Sequence, residues 1–84
     1  MRASVEDPRV HTERERRYVA REIRTTEQVL RAVTIRIGEI APKLASGAVG
    51  GLTTPDTYAA LVERQGMLLR RIGDLRARLH ALPA

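Results

Sequence analysis

Apolar residues recur along this chain at alternating intervals of four and three. From position 19 they fall at Val19, Ile23, Thr26, Leu30, Val33, Ile37, Ile40 and Leu44, with Thr26 the one polar member. That rhythm keeps a single stripe on one side of an α-helix and is the heptad seam of helices that pair. A second run, Tyr58, Leu61, Gln65, Leu68, Ile72, Leu75, Leu79 and Leu82, repeats it with Gln65 as its polar member. Inside the first run, VTIRI (residues 33–37) also alternates as a half-buried strand would. The strand accounts for Val33, Ile35 and Ile37 alone, whereas the helix accounts for all eight seam positions.

The two seams predict an all-α fold, an antiparallel two-helix hairpin of coiled-coil type. Helix 1 is expected over residues 18–45, a glycine-rich loop (SGAVGGLTT) over 46–54 and helix 2 over 55–82. Gly47 suits the end of the first helix. Thr54, Pro55 and Asp56 form a start signal for the second, in which the hydroxyl caps, the ring presets φ and the carboxylate favours the first turn. Pro83 is a stop. Pro42 has no N–H to offer the Gly38 carbonyl, so a kink is expected near 38–42.

Aligning the seams about the loop pairs Leu44 with Tyr58, Ile37 with Gln65, Val33 with Leu68 and Val19 with Leu82. In that register Glu27 bridges to Arg76, Arg36 faces Arg64, Val29 faces Arg71 and Glu22 faces Arg78. Carried backwards, the seam lands on Arg16, Thr12 and Arg9, none apolar. Residues 1–17 are therefore expected to be a polar overhang, a frayed helix from about residue 9 or 12 with 1–7 disordered. Thr12 with Glu15 supplies a capping box and Asp7–Pro8 an alternative start.

A hairpin has one seam, and two helices alone are rarely stable in water. Further apolar residues lie beside the seam, and Ala41, Val62, Leu69 and Ile35 form the expected association surface. The core would be completed by oligomerisation, as a homodimer or higher, or by docking on a larger protein. Thr26 and Gln65, lone polar residues in apolar seams, are candidates for setting register.

Composition narrows the chemistry. At 84 residues the chain can build one small core, with no cysteine for a disulfide or thiolate metal site, and only Tyr18 and Tyr58 as aromatics. The net charge of +5 gathers on the other flank as a basic strip, Arg36, Lys43, Arg64 and Arg71. That strip suits an acidic partner or a nucleic-acid backbone. No segment has the apolar core of a secretion signal or the length to cross a bilayer, so no membrane contact and a cytoplasmic location are expected. His11 and His80 lie at distant points of the hairpin, and the glycine loop lacks the Gly-Lys-Ser/Thr of a phosphate cradle. No catalytic residue, cofactor or metal is therefore expected.

The reading that follows is a non-catalytic interaction or assembly module. The alternative is a small basic DNA-binding or regulatory dimer resembling the ribbon-helix-helix proteins, with VTIRI as its strand. A third is an enzyme similar to the small helical mutases, with Arg36, Arg64, Arg71 and Gln65 holding a dicarboxylate.

Overall fold

The computed structural model of the chain describes residues 7–48, 50–51 and 53–83. Two α-helices dominate them: α1 spans Pro8–Ala45 and α2 spans Pro55–Ala81. Residues 33–44 are helical throughout, so VTIRI forms no strand and the ribbon-helix-helix reading loses the element that defines it. The all-α antiparallel hairpin is the architecture.

Helix α1 starts at Pro8, well ahead of the expected boundary at 18. Asp7 caps it, its side chain accepting from the Arg9 backbone N–H at 2.9 Å while its carbonyl takes the N–H groups of Val10 and His11. The alternative start is the one used, and Thr12 lies inside the helix. Once Asp7 and Pro8 nucleate it, each further residue adds a backbone hydrogen bond, so nothing favours a later start. Charges support the extension: Glu13 bridges to Arg16 and Arg17, each at 3.9 Å, and the ends of the two helices meet through Glu15 with Arg78 and Arg16 with the Pro83 carbonyl. The expected overhang is thus helical from Pro8, and Asp7 is ordered as its cap. Residues 1–6, expected to be disordered, lie outside the described residues.

The helix also runs on through Pro42 without a break. Gly38 and Pro42 both face solvent, so water can take the carbonyl that Pro42 leaves without a donor. Beyond Ala45 the chain closes in a Schellman motif. Gly47, at φ +83°, gives its N–H to the Leu44 carbonyl at 3.0 Å, and Ala48 gives its own to Lys43 at 2.8 Å. A second tight turn follows, in which Gly50 and Thr53 exchange both backbone hydrogen bonds around Gly51 at φ +56°. Thr54 then caps α2, accepting from the Thr57 N–H at 3.1 Å, and the helix stops just short of Pro83.

On α1, alternate seam residues are buried, Val19, Thr26, Val33 and Ile40, while Ile23, Leu30, Ile37 and Leu44 stay half-buried. On α2 only Ile72 and Leu75 are buried. The molecule measures 70 × 22 × 15 Å with a radius of gyration of 19.5 Å. A compact chain of this length would have about 12 Å. Among the described residues the hairpin is one layer of two helices, and no second layer covers its seam.

The register differs from the one obtained by closing the seams about the loop. Gln65 donates to Thr34 rather than lying against Ile37. Arg71 meets Glu22 rather than Val29, and Arg78 meets Glu15 rather than Glu22. Their partners on α1 lie three residues (for Gln65) and seven residues (for Arg71 and Arg78) nearer its N-terminus than expected. The Glu27–Arg76 bridge forms as expected, at 2.6 Å. Heptad seams fit each other equally well at several offsets, so apolar spacing alone leaves the choice open. The observed contacts give Arg71 and Arg78 carboxylate partners on α1, and Arg36 turns to Glu39 on its own helix.

Candidate association surface

Two surfaces flank the seam, and each begins with a contact between the helices. On one flank the Gln65 side-chain amide donates to the Thr34 hydroxyl at 3.1 Å. Val62 lies one turn before Gln65 and Leu69 one turn after it, so both share this side of α2. Ile35 follows Thr34 on α1, and Ala41 sits one heptad beyond Thr34. Val62 and Leu69 are thereby placed on either side of one polar crossing, with Ile35 and Ala41 elsewhere on α1. Val62 is 41% exposed, Leu69 54% and Ile35 57%, with Ala41 half-buried. Beside Ile35 a shallow concavity of about 430 Å³ is lined by Glu27, Leu30, Arg31, Thr34 and Ile35.

The other flank is charged but less uniformly basic than its sequence suggests. Arg71 is paired with Glu22 at 3.3 Å, and Arg36 turns to Glu39 on its own helix, also at 3.3 Å. Lys43 and Arg64 have no ion pair among the described residues. Two of the four expected cations are thus neutralised locally, and the strip is interrupted. Arg64 and Arg71 also border an open groove of about 600 Å³ with Ala60, Met67 and Leu68 along it and Glu63 at its edge. Met67 is not a seam position, and seam spacing does not connect it to the arginines. Ala60 and Met67, one heptad apart and each next to a strip position, were the available signal.

The two polar seam residues behave differently. Thr26 is buried and its hydroxyl donates to the Glu22 carbonyl at 2.7 Å, one turn back in its own helix. Gln65 reaches across to the other helix. Every buried side-chain nitrogen and oxygen among the described residues has a partner. Among them, no group of three or more His, Cys, Asp or Glu could hold a metal ion, and no helix is long and apolar enough to cross a membrane.

No protein-family model matches the chain, and neither does any curated protein or solved structure.

Proposed function

We propose that the chain is a non-catalytic assembly module whose hairpins complete their core by pairing with one another. The observation that carries this reading is the exposure of Val62 and Leu69, large apolar side chains left about half in water on either side of the Gln65–Thr34 crossing, with Ile35 also exposed on α1. Fully burying such a side chain is worth about 1.5–3 kcal/mol, and symmetric pairing counts each contact twice. A one-layer hairpin has little else with which to offset the entropy of ordering two long helices. Gln65 fits a register-setting role, since it makes a specific polar crossing next to the apolar flank. Lys43 and Arg64, without an ion pair among the described residues, are left on the opposite flank for a secondary contact with an acidic partner.

Light scattering across a dilution series, with circular dichroism on the same samples, tests the proposal. A mass of two or more chains, with helicity falling as the mass falls, supports it. A well-folded monomer at every concentration overturns it. A poorly helical monomer would place the missing half of the core on a different protein.

A further inference from the structure

Helix α2 carries a second heptad run beside the first. Ala59, Val62, Gly66, Leu69, Gly73 and Arg76 follow at intervals of three, four, three, four and three. None of them is buried in the hairpin. Its two glycines sit mid-helix at ordinary φ, where glycine weakens a helix relative to alanine. Nothing inside the hairpin requires them. A Cβ added at Gly73 meets no atom within 4 Å, and one at Gly66 meets only the flexible Arg70 Nη1, at 3.7 Å. The outer edge of the run is charged and self-complementary. Glu63 and Arg70, one heptad apart on the outer edge of the run, have no ion pair among the described residues.

We propose that this run is the seam along which α2 packs against α2 of a second copy, antiparallel about a two-fold axis between Gly66 and Leu69. The inference rests on the self-association proposed above and specifies its geometry. A two-fold that sets Leu69 against Gly66 of the second copy also sets Gly66 against its Leu69, Val62 against its Gly73 and Gly73 against its Val62. Each bulky side chain then meets a position without a Cβ, which lets the helices approach closely and buries Leu69 and Val62 together. The same operation keeps the outer edges on one side and brings Glu63 beside Arg70 of the second copy, and Arg70 beside its Glu63. Apolar shape and charge thus agree on a single self-complementary arrangement. On α1 the same side of the hairpin carries Thr34, Gly38 and Ala41, small residues that leave room for the second hairpin. A Cβ at Gly38 likewise meets nothing within 4 Å.

Sedimentation equilibrium on the full chain tests this with two sets of variants. Glu63→Arg and Arg70→Glu each turn two attractive pairs into two repulsive ones, so each should raise the dimer dissociation constant about tenfold at low salt. The combined charge reversal should restore it to within about twofold of the unaltered chain. Gly66→Leu with Gly73→Leu fills the receiving positions and should raise the constant by about a hundredfold or more. Because a Cβ at Gly73 meets nothing in the hairpin and one at Gly66 only the flexible end of Arg70, the same change should increase the helicity of the monomer, which separates loss of pairing from loss of folding. A dimer insensitive to all of these changes would overturn the α2–α2 seam while leaving self-association through another face intact. An unaltered chain that never exceeds one copy would overturn both.

Discussion

The two flanks of the hairpin share one seam but are held and left unfinished in different ways. One flank has a single polar crossing, Gln65 to Thr34, set between exposed Val62 and Leu69, with the Glu27–Arg76 bridge at its far end. The other has a ladder of ion pairs, Glu22–Arg71 and Glu15–Arg78, and leaves Lys43 and Arg64 in solvent. Apolar surface in water is a standing free-energy cost that only burial removes, whereas an exposed arginine is already well solvated. On the proposed function the first flank is the one that associates, while the second holds most of its charges within the hairpin.

The largest expected effect comes from placing a charge on each flank in turn. Leu69→Glu should weaken self-association by about 3 kcal/mol, roughly two orders of magnitude in dissociation constant, because the dimer loses two apolar contacts and buries two carboxylates. The folding of an isolated hairpin should change little, since Leu69 is 54% exposed there. Arg64→Glu, a comparable change on the opposite flank, should leave the constant within about threefold. Light scattering on both variants decides the comparison. If Arg64→Glu dissociates the assembly and Leu69→Glu does not, the flanks have been assigned the wrong way round.

Most of the fold was legible in the sequence, and the exceptions share a physical cause. Seam spacing identified both helices, Thr54 and Pro55 marked the start of α2, and Gly47 marked the end of α1. The strand reading of VTIRI fell because a helix uses Ile40 and Leu44 as well as Val33 and Ile37. What spacing could not show was the offset between the arms, since any heptad seam fits another at several registers. Nor could it show where α1 begins. Upstream of Val19 the helix is held by Asp7, by Glu13 and by charge contacts with the end of α2, none of which carries an apolar period. The proposed association surface was drawn from the apolar pattern, whereas Gly66 and Gly73 become informative only once a Cβ there is known to meet nothing, or only the flexible end of Arg70.

A smaller effect tests the register itself. If Arg71 pairs with Glu22, a double-mutant cycle with Glu22→Gln and Arg71→Gln should show a coupling of about 0.3–1 kcal/mol in thermal or urea unfolding. The value should fall as salt is raised, because Arg71 is 55% exposed and Glu22 30% exposed at the side chain. The corresponding cycle between Glu22 and Arg78 should give no measurable coupling. Coupling in the second cycle and none in the first would restore the register that closes the seams about the loop.

The smallest effect separates Gln65 from the charge ladder. Gln65→Leu removes a hydrogen bond worth about 0.5–1.5 kcal/mol net and replaces it with apolar contact of similar value. Thr34 is exposed and can turn its hydroxyl to water, so no buried group is left unsatisfied. The two terms nearly cancel, and the melting temperature should move by less than about 3 °C. If the ion pairs hold the offset, the Glu22–Arg71 coupling measured in the Gln65→Leu background should be unchanged. If that coupling disappears, the single amide on the apolar flank is what fixes the alignment, and the ladder merely follows it.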